Sequence, residues 1–244
     1  MSADDLAAVG SLGERSRRAL YEYVVDAGDW VSRDEAADAL GFERATAAHH
    51  LDRLSDDGLL DVDYQRRSGR SGPGAGRPAK LYRRARREIE VSLPPRDYEV
   101  AARLLADAAT RSKTDGVDIT TALGEVATEE GHRLGEAARG RMRSATQRPA
   151  GRRKLVVDLL REHGFEPHTT NDGTVVLKNC PFHHLAQRHT ELICGMNECV
   201  LSGALDAIGE TGFDARLEPE EGLCCVKLHP RATTPQPATQ ERDD

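Results

Sequence analysis

The chain has 244 residues, a net charge of −7, 38% hydrophobic and 31% charged residues, which is room for two domains with modest cores. No run of about 18 apolar residues occurs, which argues against a membrane partner. The first residues lack the basic-then-apolar pattern of a secretory signal, so a cytoplasmic location is expected.

Leu12, Ala19, Leu20, Tyr23 and Val24 recur at helical spacing across residues 11–26, and Gly28 ends that helix. Ser32 is a good N-cap, with Glu35 three residues on completing a capping box. This second helix is short and stops at Gly41. A third runs from about Arg44 to Asp56, with Ala47, Leu51 and Leu54 turned inward, and Gly58 follows it. Residues 59–66 and 80–84 read as two strands joined by the Gly- and Arg-rich loop 68–79, a long hairpin.

Pro94 and Pro95 punctuate the chain. Helical patterns then cover about 98–109 and 119–140, with Ile119, Leu123, Val126 and Leu134 on one face. Their apolar stripes are narrow, which suits a linker or a dimer interface better than a core. The stretch 139–153 is basic and reads as irregular, with Pro149 inside it. Beyond it, Leu155, Val156, Leu159 and Leu160 mark a helix ended by Gly164. Strands at 166–170 and 174–179 flank Asn171-Asp172-Gly173, a hairpin signal because Asp-Gly supplies positive φ. A long helix carries Leu192, Met196, Val200, Leu201, Leu205 and Ile208. Strands at 213–217 and 223–228 close the pattern, and the Thr/Pro/Gln-rich tail reads as disordered.

The expected fold is therefore α+β: a winged helix-turn-helix at 1–92, a helical linker or dimerisation region at 93–148, an α/β sensor domain at 149–230 and a disordered tail at 231–244. In a winged helix-turn-helix the third helix enters the major groove. With its apolar residues inward, Arg44, Thr46, His50 and Arg53 point outward toward base edges or phosphates, and His49 lies between the two faces. Residues 64–87 carry nine Lys/Arg and no Asp/Glu. In the wing, Arg66, Arg67, Arg70, Arg77 and Lys80 would track phosphates or enter the minor groove. Double-stranded operator DNA is the expected partner.

Five cysteines, an odd number, all lie between Cys180 and Cys225. In a reducing compartment such clustering points to metal or redox chemistry before disulfides. There is no CxxC pair of the kind structural zinc sites use, and thiolates spread over separate elements are compatible with an iron–sulfur cluster. Cys194 and Cys199 stand about 140° apart on a helix. Cys224 and Cys225, adjacent on the expected strand, should face opposite sides. The best common set is Cys180, Cys194 and one of Cys224 and Cys225. A fourth ligand is left open among Cys199, a histidine such as His183, and a small molecule. The alternative is a regulator that senses zinc or another metal, or a small-molecule ligand bound by the C-terminal domain while the cysteines only pack. Cys180 beside His183 or His184 is the one candidate nucleophile–base pair, and without a phosphate loop or paired carboxylates no enzyme is expected.

The wing strand Gly76–Tyr82, the Asn-Cys-Pro-Phe-His run at Asn179–His183 and the late Cys-Cys pair together resemble the SufR-type repressors of iron–sulfur cluster assembly operons and their actinobacterial relatives, near the ArsR and MarR groups. The resemblance covers nearly the whole chain except the tail. It implies a homodimeric repressor carrying a [4Fe–4S] cluster on Cys180, Cys194 and Cys224 or Cys225. The cyanobacterial members place a cysteine midway between the second and the last; here that place, near Ile208, holds none. The implied switch is a two-state dimer in which loss of the cluster changes operator occupancy through the helices of 98–140.

Overall fold

The computed structural model describes residues 3–65, 78–141 and 148–231, and the chain folds as two compact units, Met1–Ser92 and Leu93–Asp244. Helices and strands are mixed, with two antiparallel sheets. Among the described residues no helix is long and apolar enough to cross a membrane. Arg66, Arg67, Arg70 and Arg77, and the tail from 232 onward, lie outside the described residues.

The first unit begins with α1 (Ala3–Ser11), which the sequence reading passed over, and α2 (Arg15–Ala27). Glu14 caps α2 by accepting hydrogen bonds from the Ser16 and Arg17 amides, which hold its carboxyl at a pKa of about 2. A two-residue strand, β1 (Val31–Ser32), leads into α3 (Arg33–Leu40). The capping box is present: Ser32 Oγ accepts from the Glu35 amide at 3.2 Å, and Glu35 Oε2 accepts from the Ser32 amide at 2.8 Å. Gly41, at φ +69°, ends α3, and α4 (Arg44–Asp56) buries Ala47, Leu51 and Leu54. β2 (Leu60–Gln65) and β3 (Ala79–Arg84) pair antiparallel from Leu60↔Arg84 to Gln65↔Ala79, and β1 adds to the other side of β3. Leu20, Leu51, Leu54 and Tyr82 are fully buried in the core between the helices and this sheet.

The second unit differs from the expected division into a linker and a sensor domain. α5 (Tyr98–Asp115) and α6 (Ile119–Gly140) share one core with everything that follows. The reason lies in small side chains. α6 crosses α9 (Thr190–Ile208) through Gly131, Gly135 and Gly203: a Cβ on Gly135 would stand 2.5 Å from the Ala204 carbonyl oxygen, and one on Gly131 would overlap that of Val200. A stripe of Gly and Ala has little apolar bulk, yet it lets backbones approach so closely that the neighbouring Leu123, Val126 and Leu201 are buried. Pro149 does not sit in an irregular stretch; it opens α7 (Pro149–Glu162), where its fixed φ suits the first turn and no backbone donor is lost.

β4 (Pro167–Thr169) and β5 (Val175–Leu177) form the hairpin around Gly173, at φ +86°. The short α8 (His183–Arg188) precedes α9. β6 (Phe213–Leu217) and β7 (Val226–Pro230) complete a sheet of order β4-β5-β7-β6. The last strand therefore begins after the Cys224–Cys225 pair, not before it.

Candidate thiol centre and nucleic-acid interface

Cys180 lies in the loop between β5 and α8, and the residue before it fixes that loop. Asn179, 6% exposed, donates from Nδ2 to the carbonyls of Pro95 at 2.9 Å and Gly164 at 2.6 Å. Its Oδ1 accepts from Arg96, whose guanidinium also donates to the Cys180 carbonyl at 3.2 Å. Cys194 comes from the first turns of α9. Cys224 is tied to β5 through its amide, 2.8 Å from the Leu177 carbonyl.

These elements bring four thiols together. Cys224 hydrogen-bonds the end of β5 three residues before Cys180 and Asn197 one turn after Cys194, and the thiols shift one another's titration: Cys224 lowers Cys180 and is raised by it, and Cys225 raises Cys194. Residues 224 and 225 precede β7, so the alternation expected of a strand does not apply to them. Cys199 stays apart: its sulfur faces Gly124 and Thr128 of α6, as the 140° offset requires. His183 and His184 are exposed on α8, the latter stacked against Tyr98. All five cysteines are free thiols.

The four sulfurs are not equivalent. The hydrogen bond from Cys224 lowers the pKa of the Cys180 thiol, with help from the Phe182 amide and the Arg96 charge and against the pull of burial. Cys224, donating to Cys180 and buried, is pushed well up. Burial and Cys225 push Cys194 up to about 12. One buried residue missed from the sequence completes the group: Asn197 of α9 donates from Nδ2 to Cys224 Sγ at 3.4 Å. A lone amide at a core position of an apolar helix was the available signal. Among the described residues, no group of three or more His, Cys, Asp or Glu side chains is placed to hold a metal ion.

On the first unit, α4 presents Arg44, Thr46, His49 and Arg53 as exposed side chains. Arg44 pairs with Asp34 at 2.5 Å, and Arg53 with Asp57 at 3.1 Å. His50 departs from the expectation: it is half-buried, its Nδ1 3.8 Å from Glu14, while His49 faces outward. Lys80 is paired within the unit. Its ammonium is 2.5 Å from Asp52 Oδ1, the same oxygen that accepts from the buried Tyr82 hydroxyl at 2.6 Å, so it braces β3 against α4. Against the opposing pull of burial, these two bonds lower the Asp52 pKa. Arg87 pairs with Asp5, and Arg83 lies over the Trp30 ring at 4.5 Å.

No family model, characterised protein or solved structure matches this chain.

Proposed function

We propose that the protein is a DNA-binding transcriptional repressor, acting as a homodimer, whose operator affinity is set by a [4Fe–4S] cluster held by Cys180, Cys194, Cys224 and Cys225. The observation that carries this reading is that Cys224 is bonded both to Leu177, three residues before Cys180, and to Asn197, one turn after Cys194, so that the loop after β5, α9 and the segment before β7 meet there. The donor set fits such a cluster, which takes cysteine sulfurs from separate elements. When bound, it supplies oxidant-sensitive redox chemistry at the meeting point of three chain segments. The chain's own part is to hold those segments ready. Asn179 and Arg96 clamp the Cys180 loop, and the Asn197 N–H keeps a donor on Cys224.

For the first unit we infer a winged helix-turn-helix. In its support, α3 and α4 pack with a tight turn between them, α4 keeps a polar face free, and β2–β3 is a hairpin whose connecting residues are rich in arginine. Arg44, Thr46, His49 and Arg53 are the side chains we assign to DNA. The surface pairs of Arg44 and Arg53 are worth little in water, so phosphate can displace the acids. Two such units must present half-sites about 34–36 Å apart.

Anoxic purification tests the cluster. The expected product is brown, with broad absorbance near ~400 nm and iron and sulfide in equal amounts. Cys→Ser at any of the four positions should remove the colour, while Cys199→Ser should keep it. Colourless protein with stoichiometric zinc would overturn the assignment. Operator affinity should fall with salt by ~0.9 in the log–log slope for each phosphate contacted, and should differ between the iron-loaded and iron-free forms. Equal affinities would separate the thiol centre from regulation.

A further inference from the structure

Beside the thiol group, the second unit contains a cavity of about 80 Å³. Leu134, Leu159, Phe165, Phe182 and Val200 give it apolar walls, and Arg133, 62% exposed at its side chain, stands where it meets solvent. At about 10–15 Å³ for each water, the space suits roughly five to eight non-hydrogen atoms.

Asn197 lines this cavity and is 2% exposed. Its Nδ2 donates to Cys224 Sγ at 3.4 Å, and that sulfur can accept the N–H as thiol or as thiolate. The amide orientation is thereby fixed, and Oδ1 is left buried without a partner. An orphaned buried acceptor costs about 1–3 kcal/mol. The charged groups of the wall are already engaged. Glu130 accepts from Arg103 at 2.7 Å and from Arg133 at 2.6 Å, and Asp97 caps α5 through the Val100 amide. The apolar walls and the one orphaned acceptor ask for a guest that is mostly apolar and carries one donor.

We propose that this cavity is a binding site for a small neutral ligand, apolar over most of its surface, whose single hydroxyl or N–H donor is accepted by Asn197 Oδ1. The same amide gives its N–H to Cys224, so occupancy is felt at the thiol group: a donor on Oδ1 polarises the amide and strengthens the bond to sulfur. The inference stands on the cavity and the amide, and holds whether or not the cysteines carry iron.

The test uses the full-length protein, labelled with ¹⁵N, and two probes that differ by one hydroxyl: phenol and benzene. Phenol should bind about five- to tenfold more tightly, as expected for one net hydrogen bond, and should move the Asn197 side-chain amide resonances, identified by their loss in Asn197→Leu. Benzene should bind without that signature. Asn197→Leu should make the two affinities equal, and Leu134→Trp should abolish both by filling the cavity. Equal affinities in the native protein, a preference that survives Asn197→Leu, or no binding of either probe would overturn the proposal. In the last case the amide oxygen is served by trapped water alone. Iron counted on the same samples keeps this outcome separate from that of the cluster.

Discussion

The two units carry their candidate chemistry in opposite places. In the first, the polar side chains assigned to DNA stand on the outside of α4, and the core behind them is ordinary Leu, Val, Ala and Tyr. In the second, the reactive groups are inside: Cys180, Cys194, Cys224, Asn197 and Glu130 are all buried. An exposed site can change without disturbing the fold that presents it. A buried one is made by the packing, so substitutions there should affect stability and chemistry together.

The largest effect expected from this difference is at the α6–α9 crossing. Gly131→Ala puts a methyl group into the Val200 carbonyl. Alanine gains about 1 kcal/mol of helix propensity over glycine, but forcing the backbones apart should cost about 3 kcal/mol. A net loss of stability is therefore expected in urea unfolding followed by circular dichroism, together with faster alkylation of Cys194. A neutral result would show that the helices can separate cheaply and that the thiol group does not depend on their contact.

Glu130 comes next. Its carboxylate is 4% exposed between Arg133 and Arg103, whose hydrogen bonds hold its pKa at about 2. Glu130→Gln should destabilise the protein by about 2 kcal/mol, within the range for a charged hydrogen bond. The folded pKa lies below the unfolded one, so the contribution is complete above about pH 4.5 and fades as the pH falls toward about 2. The native protein and the variant should thus converge in stability on acidification. A difference that persists unchanged at pH 3 would assign the effect to packing.

The same contrast explains what could be read from the residues alone. The Ser32–Glu35 box, the inward Ala47, Leu51 and Leu54, and the Asp172-Gly173 turn are encoded within a few positions of one another, and each stands where its local pattern places it. The gathering of the thiols is different in kind. Helical angle sets Cys199 apart from Cys194, but the expected strand at 223–228 begins too early, because the start of β7 is set by its pairing with β6, from Leu217↔Val226 onward, which no local pattern records. The α5–α6 region was misjudged for a related reason. Its burial depends on glycines meeting a partner helix some 70 positions away, so apolar bulk along one stripe understates it. Lys80 and His50 show the limit on the exposed side as well, since their partners Asp52 and Glu14 lie on elements whose approach is tertiary.

A smaller effect belongs to the first unit. Ser32→Ala removes one half of the capping box and should cost about 1 kcal/mol. Trp30, the chain's one tryptophan, stands two residues away and reports that loss by fluorescence. Because Ser32 is not among the residues assigned to DNA, affinity measured well below the unfolding transition should be unchanged. A drop in affinity without a drop in stability would mean that the α3 N-terminus itself touches the duplex.

The smallest expected change is at Lys80, and it separates two roles that share one residue. A lysine in β3 beside an arginine-rich connection reads as a phosphate contact, but its ammonium is already held by Asp52, which also serves the Tyr82 hydroxyl. Lys80→Met keeps the aliphatic stem and removes only the charge. A half-exposed pair of this kind is worth about 0.5 kcal/mol, so stability should fall slightly, and the freed Asp52 should leave Tyr82 bonded. If Lys80 only braces β3 on α4, the salt dependence of DNA binding is unaltered in slope; if it reaches phosphate, the slope drops by about 0.9. The geometry favours the brace, because releasing Lys80 to DNA would leave a carboxylate beside the phosphate backbone with its strongest partner gone.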